Sequence, residues 1–201
     1  ITILGMRGGT QLKPLSILNA GQYAKSQNIS IVLNTPFTIL KTILKDNLEI
    51  KDYFAEKEIE TIFSPNKKIV GQGIHEGKNV VLIIMESFAK EYVGGLNDGL
   101  GYTPFIDSLL DKSYVFTNAY ANSSRSIEAL PCMLSGLPQL MSQPYALSTY
   151  AGNQITGLPQ HLKNDGYNTS FYHGGANGTM GFNGFVGVIG VDNYFGLNEY
   201  P

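Results

Sequence analysis

Residues 78–88 read Lys-Asn-Val-Val-Leu-Ile-Ile-Met-Glu-Ser-Phe, and this stretch decides the predicted fold. Residues 80–85 are apolar without interruption, which is typical of a strand that is covered on both faces of a sheet. Helical and strand patterns alternate after it, with helices predicted over 103–110, 126–134 and 158–164 and strands over 114–116 and 169–172. Strands that alternate with helices predict an α/β fold, in which helices flank a mostly parallel sheet.

Residues 1–77 are predicted to form an irregular and partly helical arm in front of that fold. Turn-forming residues interrupt the first 34 positions, whereas the pair Thr35-Pro36 is typical of a helix start. Apolar residues then recur at helical spacing up to Leu44, which predicts an amphipathic helix that packs on a neighbouring segment. We therefore predict two parts, a linker arm over residues 1–77 and an α/β portion over residues 78–201.

The composition excludes several classes of protein. Only 15% of the 201 residues are charged and the formal net charge is −2, whereas about 25% of residues are charged in an ordinary domain. Nucleic-acid binding would need clustered Lys and Arg side chains and is not expected. The single Cys132 excludes a disulfide framework and a cysteine-based zinc site. No apolar run is long enough to cross a membrane, and the start at Ile1 suggests a piece of a longer protein.

Two polar residues follow predicted strands, where parallel sheets bind their ligands. Glu86 comes directly after residues 80–85 and would serve either as a helix N-terminal residue or as the ligand of a hard cation. His173 follows residues 169–172 and precedes two glycines. At that place a histidine binds substrate or metal, or hydrogen-bonds a loop.

Ser126 opens a predicted helix in the part of the chain that is poorest in charge. Residues 121–201 contain six charged side chains, which are Arg125, Glu128, Lys163, Asp165, Asp192 and Glu199. A helix start favours a bound phosphate or an alkoxide because its free N–H groups carry partial positive charge, but a serine at this place usually caps the helix. The neighbouring Arg125 suits a phosphate group, and Glu128 suits the first helical turn.

These motifs resemble those of the sulfatase/alkaline-phosphatase superfamily. Residues 78–88 resemble its first strand, above all that of the lipoteichoic acid synthase branch, where the strand ends in Glu-Ser-Phe. Residues 102–109 and 116–120 resemble the next two elements of the family. The resemblance implies an alkaline-phosphatase-like α/β fold, in which residues 78–201 form the N-terminal portion of the catalytic domain. Residues 6–9 and 34–37 are more loosely similar to the juxtamembrane linker of membrane-anchored members, which implies a linker of that type over residues 1–77.

The resemblance also implies which serine is the nucleophile. Residues 125–131 fall where the family places a nucleophilic Thr or Ser. In the similar phosphoethanolamine transferases this residue stands five positions before a proline, which is Pro131 here. The register therefore implies Ser126, and not Ser123 or Ser124, as the catalytic residue.

The remaining roles follow from the same resemblance. Glu86 and Ser126 would be metal ligands, because the glutamate at the end of the first strand binds the metal in that branch. His173 would contact the substrate, since residues 171–175 resemble the His-Gly segment of the family. Arg125 would help to bind the substrate headgroup.

The implied cofactor is one divalent metal ion, which would be Mn, Mg or Zn. The family completes its metal site with an Asp-His pair and another His downstream of the His-Gly segment. After His173 the chain offers only Asp192 and Glu199 as acids and no further histidine. We therefore expect a partial domain that holds the metal weakly or lacks it, and that associates with a C-terminal part of the same protein.

The implied function is metal-dependent transfer of a phosphoglycerol-type headgroup from a phospholipid through a covalent Ser126 intermediate. The enzyme would be anchored in the cell membrane by a preceding segment, with its catalytic domain on the extracytoplasmic side. Phosphoethanolamine transfer is an alternative, because residues 131–135 resemble those transferases. Sulfuric ester hydrolysis is disfavoured by Glu128 and Leu130, where sulfatases need Pro and Arg. A non-catalytic binding module would apply if the chain truly ended at Pro201.

Overall fold

The computed structural model of the chain describes residues 2–10, 14–45, 47–64, 68, 70–71 and 77–200. The chain consists of two compact units. The first unit joins Ile1–Leu48 to Tyr120–Pro201, and the second is Glu49–Ala119. The family-implied boundary at residue 78 lies inside the second unit and stays a prediction.

The first unit contains six helices and two strands among its described residues. In chain order they are α1 (Thr2–Arg7), α2 (Ile29–Val32), α3 (Thr35–Thr42), α6 (Ser126–Ser135), α7 (Leu158–Asn164), β1 (Ser170–Tyr172), α8 (Phe182–Val188) and β2 (Asn193–Phe195). Short 3-10 helices occupy Ile17–Gln22, Ser26–Asn28, Tyr145–Leu147, Thr149–Gly152, Thr179–Gly181 and Leu197–Glu199. The second unit contributes α4 (Glu56–Ile62), α5 (Pro104–Leu110) and the 3-10 helices Lys90–Tyr92 and Gly94–Leu96.

The sheet consists of β1 and β2, which pair in parallel with Ser170 opposite Asn193. Helix α8 connects the two strands, as a parallel pair requires. Aromatic rings on neighbouring strands stack, with 5.8 Å between the ring centroids of Phe171 and Tyr194. The prediction of a parallel sheet with flanking helices is therefore confirmed for this small sheet.

The core of the first unit forms where the 3-10 helix Ile17–Gln22 packs against α8. Glycines let the two backbones touch: a Cβ atom on Gly184 would lie only 2.5 Å from the carbonyl oxygen of Leu18, and one on Gly21 or Gly187 would clash with backbone oxygen. The largest fully buried side chains at this core are Leu18, Ile29, Phe185, Val186 and Ile189. Close backbone contact thus determines how the N-terminal residues cover α8.

The first strand predicted from the sequence does not form. Residues 80–85 lie outside any strand, and their side chains are between 45% and 82% exposed. Residues 114–116, the second predicted strand, are likewise non-regular and exposed. A strand needs a hydrogen-bonding neighbour, and among the described residues the backbone of 79–85 makes no such bond. The predictions of a strand at these two segments are wrong for this structure.

Predictions based on local signals agree more closely with the structure. Helix α7 has the predicted bounds, α6 extends the predicted helix by one residue, and β1 lies within the predicted strand. Helix α3 begins at Thr35, but its cap is Asn34, whose side chain accepts a hydrogen bond from the Phe37 amide at 3.2 Å. Its predicted packing is wrong, because α3 has no buried residue and Leu40 is exposed.

We expect the substitution Gly184→Ala to destabilise the chain by roughly 1–3 kcal/mol, since the added methyl overpacks a backbone contact. Gly5→Ala is the matched control, because a Cβ atom on Gly5 meets nothing within 4 Å. Thermal unfolding of both variants measures the difference. Equal midpoints for the two variants would contradict the close packing of α8.

Asp192 connects the two segments that lead into β1 and β2. Its carboxylate accepts hydrogen bonds from the Thr169 amide (3.0 Å) and hydroxyl (2.9 Å), and it pairs with Lys163 of α7. The Lys163 hydrogen bond is the main reason that the pKa of Asp192 lies below its ordinary value, with the Thr169 bonds adding to it and burial opposing it. The carboxylate is therefore engaged in holding the sheet.

We expect Asp192→Asn to lower the free energy of unfolding by about 1 kcal/mol at neutral pH. Most of this loss comes from the Thr169 hydrogen bonds, because solvent screens the ion pair with the partly exposed Lys163. The pKa of Asp192 is lowered on folding, so its stabilisation is present above the ordinary carboxyl pKa and fades as the pH falls through the lower, folded value. The difference in unfolding free energy between wild type and variant should therefore become smaller below about pH 4. Chemical denaturation across pH measures it, with Asp165→Asn as the control. A gap that is constant down to pH 2 would contradict this role.

Candidate functional site

Helix α6 carries Ser126 as its first residue, and Arg125 is the N-cap. Leu130 and Leu134 lie one turn apart and are buried on the inner face of this ten-residue helix. The helix ends where Gly136 adopts a left-handed conformation with φ 64°, which glycine accepts without steric cost. Ser126 is therefore not the cap that its position suggested. It lies half-buried in the first turn, where the partial positive charge of the helix is greatest.

Arg125 and Glu128 form an ion pair across the first turn of α6. The Arg125 Nε donates to Glu128 Oε1 at 2.8 Å, and Nη2 of the same guanidinium also donates to this oxygen. The Arg125 hydrogen bond is the main reason that the pKa of Glu128 lies below its ordinary value; burial opposes it, and the Ser124 and Arg125 amides support it. Glu128 does more than complement the helix charge, because it also binds the neighbouring cation.

His173 lies directly after β1, at the carboxyl end of the small parallel sheet. Its backbone N–H donates to the Phe195 carbonyl at 2.8 Å, and its Nδ1 is 3.4 Å from the Tyr194 hydroxyl. Phe182 of α8 meets the ring edge-on, with 5.0 Å between ring centroids. The imidazole is thus half-buried and oriented from two sides, in the place where parallel sheets bind ligands.

The loop after His173 contains a fixed polar pair that the sequence reasoning missed. Asn177 Nδ2 donates to Glu199 Oε1 at 2.8 Å, and the other Glu199 oxygen accepts from the Gly196 amide at 2.7 Å. Among the described residues, the buried Asn177 Oδ1 atom finds no hydrogen-bond partner. These contacts join residues 22 positions apart, so no local sequence signal could have indicated them.

Glu86 belongs to the second unit, whereas Arg125, Ser126 and His173 belong to the first. The strand predicted to present Glu86 is absent, and the residue instead lies exposed in a turn with Ser87. The Ser87 hydroxyl is 3.4 Å from Glu86 Oε1, and Ser87 has a φ of 51°. The predicted presentation of Glu86 at a strand end is wrong for this structure.

The residues described here do not fit a complete metal site. Within the described ranges no group of three or more His, Cys, Asp or Glu side chains could hold a metal ion, and a divalent ion needs several fixed ligands. Asp192 and Glu199, the acids that follow His173, are engaged in the structural contacts given above.

Among the residues that the structure describes, no helix is long and apolar enough to span a membrane.

The small parallel sheet with its flanking helices makes this an α/β protein, with a serine at a helix start and a histidine at a strand end. The chain belongs to the sulfatase family, whose profile matches residues 78–201. This match begins at the residue where the α/β portion was predicted to begin, and it confirms the resemblance drawn from the motifs. Members of this superfamily are hydrolases and transferases that generally use a divalent metal.

A curated relative narrows the comparison. The chain is similar to Lipoteichoic acid synthase 2 of Bacillus subtilis (strain 168), with 26% identity over 140 residues. The aligned region covers 68% of this chain and 21% of the relative, so the chain spans about a fifth of the length of that protein. No solved structure gave a match.

Proposed function

We propose that the gene product containing this chain transfers a phosphoglycerol-type headgroup from a phospholipid through a covalent intermediate on Ser126. The observation that carries this proposal is the first turn of α6, where Ser126 lies beside an arginine that is fixed by a buried carboxylate. A serine at a helix start, next to a guanidinium, suits attack on a phosphodiester. Similarity to a lipoteichoic acid synthase supports a phosphoglycerol headgroup.

The reaction would proceed by two displacements at phosphorus. In the first, Ser126 Oγ forms a bond to phosphorus while the bond to the diacylglycerol oxygen breaks; the serine gives up its proton and the departing oxygen gains one. In the second, an acceptor hydroxyl or water attacks the phosphoserine ester and regenerates the serine hydroxyl. The helix start favours the developing negative charge.

Arg125 and His173 are the proposed substrate contacts. The Arg125 side chain remains 54% exposed although it pairs with Glu128. A guanidinium has five N–H donors, so donors remain for phosphate oxygens. The half-buried imidazole of His173 would bind the glycerol part of the headgroup, as the family resemblance implies.

Metal dependence belongs to the proposal for the whole gene product. A divalent ion, Mn, Mg or Zn, would neutralise phosphate oxygens and stabilise the serine alkoxide. Glu86 and Ser126 are proposed as two of its ligands, with further ligands outside the residues described here.

The proposed setting follows from the donor. A phospholipid headgroup is reached at a membrane surface, so we place the catalytic domain on the extracytoplasmic side of the cell membrane, anchored by another part of the gene product. A C-terminal part of the same protein is the proposed partner that completes the site. Nucleic acid is not a proposed partner, because the net charge is −2.

A second candidate function is phosphoethanolamine transfer. Residues 131–135, Pro-Cys-Met-Leu-Ser, support it because they resemble the equivalent helix of those transferases. Sulfuric ester hydrolysis has less support, since Glu128 occupies a position where sulfatases need proline, and here it pairs with Arg125. A non-catalytic binding module is the remaining alternative.

We expect Ser126→Ala in the intact gene product to reduce headgroup release from phosphatidylglycerol by at least about a thousandfold, the scale on which loss of a nucleophile acts. Ser123→Ala and Ser124→Ala are matched controls from the preceding loop and should retain activity. Phosphatidylethanolamine and an aryl sulfate, tested in parallel, distinguish the alternative donors. Unchanged release by the Ser126 variant would exclude the covalent mechanism, and no turnover of any donor would favour the binding module.

A further inference from the structure

The carboxylate of Glu128 is buried at the third position of α6. The residue is only 4% exposed, although burial of an ionised carboxylate is costly unless it is paired and hydrogen-bonded. Residues 121–201 contain just six charged side chains, so the choice of a buried charge at this position needs a specific reason.

The partners of Glu128 lie in the segment immediately before Ser126. Oε1 accepts from Arg125 Nε at 2.8 Å and from Nη2 of the same guanidinium. Glu128 therefore fixes the orientation of the guanidinium that lies immediately before Ser126.

Glu58 shows what an ordinary helix-start glutamate does in this chain. It occupies the same third position of α4 and accepts a hydrogen bond from the Ala55 amide at 3.1 Å. Glu58 is exposed, and none of its contacts among the described residues is with a cation. Capping alone therefore explains Glu58, whereas the burial of Glu128 and its two bonds to Arg125 are additional.

We propose that Glu128 is a positioning residue that acts through Arg125. It holds the guanidinium so that the exposed N–H groups of Arg125 donate hydrogen bonds to a phosphate oxygen beside Ser126. This inference rests on the proposed function, because it assumes a phosphate-bearing substrate at Ser126. Nε and Nη2 face the buried carboxylate, so the orientation of the planar guanidinium is fixed. Glu128 itself does not touch the substrate.

A double-mutant cycle tests this role in the intact gene product. Glu128→Gln, Arg125→Gln and the double variant are compared by kcat and KM for headgroup release from phosphatidylglycerol vesicles. We expect Glu128→Gln alone to lower kcat/KM about tenfold, mainly by raising KM, and to lower it by less than about twofold when Arg125 is already Gln. An equal effect of Glu128→Gln in both backgrounds would overturn the proposal, since Glu128 would then not act through Arg125.

Two further variants separate positioning from folding. Glu58→Gln removes the same helix-start carboxylate from α4 and should leave KM unchanged. If Glu128→Gln fails to fold, Glu128→Asp keeps the buried charge but withdraws it from the guanidinium, and it should raise KM several-fold at unchanged kcat. An unchanged KM for the Asp variant would overturn the proposal.

Binding of sn-glycerol 3-phosphate, measured by calorimetry on the same variants, distinguishes failure of this inference from failure of the proposed function. A wild type that binds this probe but releases no headgroup refutes the transferase function, and the Kd values then replace KM in the cycle. A wild type that releases headgroup while Glu128→Gln matches it refutes the positioning role alone. Absence of both binding and turnover overturns both.

Discussion

The first unit depends on the direct contact between the backbones of the 3-10 helix Ile17–Gln22 and α8. Glycines at 21, 184 and 187 are what allow it, because any side chain there would meet main-chain atoms. Leu18, Phe185 and Ile189 are buried in the same hydrophobic core. Helix α8 also carries Phe182, which supports the His173 ring. A backbone contact between two segments that are far apart in sequence therefore helps to orient one residue of the candidate site.

A second constraint is the scarcity of charge around α6. Glu128 and Arg125 neutralise each other across one helical turn. The serine thus follows an arginine whose side chain is held by a buried carboxylate. Preorganised donors of this kind favour negative charge that develops during a reaction, because they need no rearrangement at that moment.

Local sequence signals were sufficient to predict several elements of this architecture. Helix-terminating Gly and Pro residues indicated where α6 and α7 lie, and β-prone residues before a glycine turn indicated β1. Contacts between distant residues were inaccessible: α8 was missed because its glycines disfavour a helix locally, although they are required by packing. The strand at residues 80–85 was predicted from its continuous apolar run and from its resemblance to the first strand of the family, but a strand forms only with a paired neighbour. The sequence indicated Arg125 as a phosphate contact and Glu128 as a helix-start residue, but it did not indicate that the two side chains pair.

The most direct test of the central claim is detection of the covalent intermediate on Ser126. The intact gene product would be mixed briefly with phosphatidylglycerol, quenched in acid, digested and analysed by mass spectrometry. We expect a glycerophosphate adduct on the peptide that contains Ser126, and its loss in Ser126→Ala. Headgroup release without any adduct, or an adduct on Ser123 or Ser124 instead, would contradict the assignment of Ser126 as the nucleophile.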